Sequence, residues 1–181
     1  MKTANHKNEP VYLWDKVVRI FHWWLVFVFV ANYFVNEPGD KWHEWLGYAA
    51  VAALVVRFIW GFVGSGAARW SSFFPFPSRV IHHIRLLKNK QEYEELGHSP
   101  LGSVVMIVMM SLFLCLGVTG YMMEEIDRFW GVEWVENVHE WLADILMGLI
   151  LLHIAAAVIV SVQLRDNLPL SMITGKRKPR P

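Results

Sequence analysis

The 181-residue chain has a single cysteine, Cys115. A disulfide within the chain is therefore excluded, and so is a zinc or iron–sulfur site built on several thiolates. Charge is also scarce. Asp, Glu, Lys and Arg make up 18% of the residues, against about a quarter in soluble domains. No Gly-rich nucleotide-binding fingerprint occurs. The N-terminal stretch "MKTANHKNEPVYLWDKVVR" is polar and lacks an apolar signal core and a small-residue cleavage site. The first apolar block is thus expected to stay in the chain as a membrane helix.

What the chain has in quantity is apolar residues, 55% of the total. They gather in four blocks of about twenty, each long enough to cross roughly 30 Å of hydrocarbon. Spans are predicted near 18–35, 43–63, 102–123 and 138–162. The fold class that follows is all-α: an integral membrane four-helix bundle, with residues 1–181 as a single domain. The first connection, "NEPGDKW", is short and makes a hairpin between antiparallel neighbours. The second begins with "GSGAARWSSFFPFPS", kept irregular by Gly and Pro. It continues with "RVIHHIRLLKNKQEYEEL", whose apolar residues recur at three and four. That pattern predicts a short amphipathic helix on the cytoplasmic membrane surface, with His82 and His83 solvated. The third connection, "EEIDRFWGVEWVEN", is acidic and aromatic. Cys115, inside the third block, reads as a small buried apolar residue.

All Lys and Arg residues except Lys41 and Arg128 fall on one side of this arrangement. The positive-inside rule therefore places both termini and the long second connection in the cytoplasm. The short connections face the periplasm of a bacterial inner membrane. Most of the ten tryptophans, among them Trp42, Trp45, Trp130 and Trp134, fall near span ends, where an aromatic belt is expected.

Four of the eight histidines lie within the spans or at their edges. His43 and His139 both open a span at the outer side, each within the letters HEWL or HEWLA. His22 and His153 both lie nearer the cytoplasm. His139 and His153 are fourteen residues apart on one helix. That separation is ~21 Å along the axis, with the second ring rotated about 40° from the first, so both point to one side of the bundle. Ionisable groups inside a bilayer are rare and usually functional. Two facing imidazole pairs at two depths are what two bis-histidine haems require, whereas zinc needs its ligands at one point. The pairs are His22 with His153 and His43 with His139. No Cys-x-x-Cys-His attachment motif occurs, so the haem expected is non-covalent haem b. Arg57 stands fourteen residues after His43 and, with Arg19, is a candidate partner for a haem propionate. Gly47, Gly117, Gly120 and Gly148 are candidates for close approach of a macrocycle or another helix.

The segments "DKVVRIFHWW", "HEWLGYAAVAALVVRFIWG", "HSPLG", "HEWLADILMGLILLH" and "NLPLSMITGKRKP" together resemble the small bacterial cytochrome b561 proteins. These are four-helix di-haem b quinone oxidoreductases related to the b-type cytochrome subunits of nickel–iron hydrogenases. The resemblance covers nearly the whole chain and implies the same histidine pairing. The haem wire, which has no nucleotide, flavin or thiol site of its own, and the resemblance together leave three functions. The first is electron exchange between a membrane quinone and a basic periplasmic redox protein such as a cytochrome c. The second is superoxide oxidation with quinone as acceptor. The third is service as the membrane anchor of a hydrogenase-like or other dehydrogenase complex, a reading that the shortness of the chain disfavours. His98, in "HSPLG", becomes a candidate for a quinone site or proton delivery, and Asp144 for proton transfer. Nothing in the sequence points to nucleic acid.

Glu37, Asp40, Glu44, Glu124, Glu125, Asp127, Glu133, Glu136 and Glu140 surround the outer connections, opposed only by Lys41 and Arg128. Such a mouth attracts a basic protein and repels superoxide.

The orientation is testable by labelling. In a Cys115→Ser background, a cysteine at Asp127 should react with a membrane-impermeant maleimide added to intact spheroplasts. A cysteine at Lys176 should react only after lysis. The opposite pattern would invert the bundle.

Overall fold

The computed structural model describes residues 10–89, 97 and 99–178. The elements in chain order are β1 (Val11–Tyr12), α1 (Lys16–Phe34), α2 (Lys41–Val63), a 3-10 turn (Gly66–Ala68), α3 (Trp70–Phe73) and α4 (Pro77–Lys88). They continue with α5 (Pro100–Glu125), a 3-10 turn (Asp127–Phe129), α6 (Glu133–Leu164), α7 (Leu168–Thr174) and β2 (Lys176–Arg177). Helices α1, α2, α5 and α6 are long and apolar enough to cross a membrane. The chain is an all-α, multi-pass membrane protein.

These helices match the four predicted spans to within a few residues. The largest difference is at α6, which begins at Glu133 rather than near 138. Backbone hydrogen bonding continues into the acidic segment, where apolarity stops. Local chemistry sets the other starts. Asp15 caps α1 by accepting from the Val18 amide at 2.8 Å. Ser99 accepts from the Gly102 amide at 3.1 Å, and Pro100 opens α5. Asn167 accepts from the Leu170 amide at 2.9 Å to start α7, and Gly175, at φ 80°, ends it in the left-handed region.

Packing divides the chain into two compact units. One comprises Ile20–Ile59 and Val105–His153. Its core is formed by Leu25, Val28, Phe29, Ala50, Leu54, Phe113 and Leu146, drawn from α1, α2, α5 and α6. Helices α2 and α5 approach closely at Gly117. A Cβ there would stand 2.2 Å from Val51 Cγ2, so a small residue is what lets the backbones meet. The amide of Asn32 donates to the His43 carbonyl at 2.9 Å, tying α1 to α2.

The other unit comprises Met1–Arg19, Trp60–Val104 and Ile154–Pro181. Here the two ends of the chain are clamped. Strands β1 and β2 pair antiparallel, Val11 opposite Arg177 and Tyr12 opposite Lys176. The Trp14 indole donates to Ser171 Oγ at 3.2 Å, and Arg19 donates to the Ile173 carbonyl. Arg177 forms a buried ion pair with Asp166 at 2.8 Å. Asp15 accepts from the Trp60 indole at 2.9 Å through its second carboxylate oxygen.

Three expectations need correction or limit. Cys115 is exposed on α5, not buried. Lipid is as apolar as a protein core, so an apolar residue in a span has no need to face inward. His83 is buried at 6% exposure, whereas His82 is exposed as expected. Burial, with the neighbouring His82 adding to it, lowers the His83 pKa below its ordinary value. The amphipathic helix is present as Pro77–Lys88. Its expected continuation through 90–96 lies outside the described residues, as does His98.

Overpacking at the Gly117 contact gives a stability prediction. Gly117→Ala should destabilise the protein in detergent by about 1–3 kcal/mol. Combining it with Val51→Ala should restore part of the loss in a thermal melt, because the two groups compete for one space. Equal stability of wild type and Gly117→Ala would disprove the close approach.

Candidate functional site

The helical period determines which of these histidines can meet. In α6, His139 and His153 are separated by nearly a whole number of turns, so they share a face. Opposite them, α2 carries His43 in its first turn and α1 carries His22 in its second. All four belong to the unit Ile20–Ile59 with Val105–His153.

The structure brings them together as two pairs. His22 and His153 face each other with ring centroids 6.4 Å apart and planes inclined at 53°. His43 and His139 face each other at 6.1 Å and 54°. Two imidazoles bonded at about 2 Å to opposite faces of one metal have centroids about 6 Å apart. Both pairs have about this spacing and nearly the same tilt. The rings are too far apart for a direct hydrogen bond. His22, His43 and His139 are half-buried, and His153 is exposed. Among the described residues no group of three or more His, Cys, Asp or Glu side chains is positioned to hold a metal ion. Two facing imidazoles suit a planar macrocycle that supplies the remaining ligands itself.

Other residues shape the surroundings. Gly47 lies one turn beyond His43 on the same face of α2, and a Cβ there would meet nothing within 4 Å. Gly148 is about half a turn round α6 from His139; it belongs to a different face, and a Cβ there also meets nothing. Gly120 lies against the His139 ring, where a Cβ would stand 3.7 Å from Cε1. Arg57 is 2% exposed, a buried cation on α2. Arg19 belongs to the other unit, where its guanidinium bonds the Ile173 carbonyl and the Tyr12 hydroxyl. Asp144 is exposed and accepts from the Tyr33 hydroxyl at 2.8 Å. Of the nine outer acids, Glu44 is half-buried and the others are exposed, as are Lys41 and Arg128.

The model for prokaryotic cytochrome b561 matches residues 13–175. The chain belongs to the prokaryotic cytochrome b561 family. This family consists of b-type membrane cytochromes, so haem b is the prosthetic group and electron transfer within a membrane is the role. The chain is also similar to two proteins named "Probable Ni/Fe-hydrogenase B-type cytochrome subunit". The one from Bradyrhizobium diazoefficiens is 26% identical, across 94% of this chain and 87% of that protein. The one from Rhizobium leguminosarum bv. viciae is 23% identical, across 94% of this chain and 90% of that protein. No solved structure matches the chain significantly.

One member of the site was missed from sequence. Thr119, on the helix without a paired histidine, contacts His139 Nδ1 at 2.8 Å. Its only sequence signal is a hydroxyl within the apolar run "LCLGVTGYMM".

Proposed function

We propose that this cytochrome b561 moves electrons across the bacterial inner membrane through two haems b. His22 and His153 are the axial ligands of the inner haem, and His43 and His139 those of the outer. The exchange runs between a membrane quinone and a basic periplasmic redox protein such as a cytochrome c. The observation that carries this reading is the pair of imidazole pairs, similar in spacing and tilt, on helices of the right length. When bound, haem with two histidine ligands supplies one-electron chemistry at an iron with no open position. The chain's own task is to hold four imidazoles in register and keep water and other ligands away from them. Arg57 is assigned to a haem propionate on its charge and burial; Arg19, the other candidate from sequence, is engaged by the Ile173 carbonyl and the Tyr12 hydroxyl. Both termini are cytoplasmic, and the exposed outer acids form the docking rim for a basic partner. The same rim disfavours superoxide, an anion.

A second reading is supported by the relatives' names. The chain would then be the membrane cytochrome of a hydrogenase-like or other redox enzyme complex. Its length does not count against this, because it spans most of both relatives. Here the periplasmic donor would be a bound enzyme rather than a diffusing cytochrome.

Pyridine haemochrome analysis of the purified protein should give two haems b per chain. His22→Ala and His153→Ala should each remove the same haem, and His43→Ala and His139→Ala the other. One haem in the wild type, or loss that does not follow these pairs, would overturn the assignment. Exchange with a basic cytochrome c should slow by about tenfold as salt rises to the physiological range. A salt-independent rate, together with co-purification of a large redox subunit from native membranes, would favour the second reading.

A further inference from the structure

Helix α5 contributes no histidine to either pair, yet it touches His139. Thr119 is 9% exposed, and its Oγ1 lies 2.8 Å from His139 Nδ1. The same oxygen lies 2.9 Å from the Cys115 carbonyl oxygen and 3.1 Å from that of Leu116. The next residue, Gly120, lets the imidazole lie against the helix. Hydroxyl and glycine thus make a shelf for one ring.

A hydroxyl has one hydrogen and two lone pairs. A carbonyl oxygen can only accept, so the contacts with Cys115 and Leu116 direct the Thr119 hydrogen back to the helix. Oγ1 then presents a lone pair to His139, and Nδ1 must carry the ring proton. This leaves the Nε2 lone pair free, the tautomer needed for metal ligation through that atom. The other half of this pair is treated differently. His43 Nδ1 is buried with no hydrogen-bond partner among the described residues, and the same is true of His22 Nδ1.

We propose that Thr119 is a positioning residue for the His43–His139 haem. It accepts a hydrogen bond from His139 Nδ1–H, fixes the tautomer and rotation of the ring, and makes Nε2 a stronger electron donor. The proposal rests on His139 being an axial ligand. A more electron-rich ligand favours the ferric state, so Thr119 lowers the potential of this haem and leaves the His22–His153 haem unaffected. Two haems with matching histidine pairs are thereby made unequal by a residue that touches neither iron.

The test compares wild type, Thr119→Val and Thr119→Ser, each as the purified haem-loaded protein, by haem content, optical redox titration and electron paramagnetic resonance. In Thr119→Val the midpoint potential of one haem should rise and its low-spin signal should move. The other haem should stay at its wild-type potential. Thr119→Ser, which keeps the hydroxyl, should return both readouts toward wild type. Loss of one haem from the Val variant alone would also support the hydroxyl's role. Unchanged potentials in a fully loaded Val variant would overturn the proposal, as would equal shifts in both haems or equal effects of Val and Ser. Failure of the underlying ligand assignment would look different. His139→Ala would then keep its full haem complement.

Discussion

Hydrocarbon cannot solvate an imidazole, and this constraint organises the helical unit that carries the four histidines. A polar ring within a span must either find a partner or face something other than lipid. Four rings are brought to two places, each opposite another ring. The pairing is achieved by whole helices rather than loops. Helix α6 supplies one ring to each pair because fourteen residues return almost to the same face. Helices α1 and α2 supply the complements, and α5 adds the hydroxyl that completes the environment of His139. Close contact at Gly117 and the Asn32 bond to the His43 carbonyl hold these helices in their positions.

Membrane solvent also explains what could be read from sequence. The four spans were legible because hydrocarbon demands long apolar runs. The histidine pairs were legible because polar residues in such runs are conspicuous and helical geometry is regular. What faces inward was not legible. Lipid and core are equally apolar, so nothing in the sequence marked Cys115 as exposed. Thr119 passed unnoticed for a related reason. A threonine in a span can satisfy itself by bonding the preceding turn, so its presence does not announce a second partner. The recurrence of apolar residues at three and four does mark α4 as a helix. Of its two adjacent histidines only His82 faces out, since neighbours in a helix point about 100° apart.

The clamp between the chain ends was invisible from sequence. Two-residue strands carry no periodicity, and α7 is a seven-residue helix with a proline in its first turn. Its parts are legible one at a time. Asn167, Pro169 and Gly175 read as a capped helix, and the lysines and arginines read as a topology signal. That Arg177 is also buried against Asp166 depends on packing between remote segments. A cation that counts toward the charge bias of the sequence is thus also half of a structural ion pair.

This clamp has a consequence for biosynthesis. Trp14 and Ser171 are separated by 157 positions, so the N-terminal segment emerges long before its partner exists. Helices can enter the membrane in order as they are made, but β1 stays without a companion strand until β2 has left the ribosome. Contacts of such high sequence separation form late and add slowly to the folded state. The strand pair can therefore close only after β2 has been made, and a chain cut before Lys176 leaves the Val11–Tyr12 edge without its partner strand.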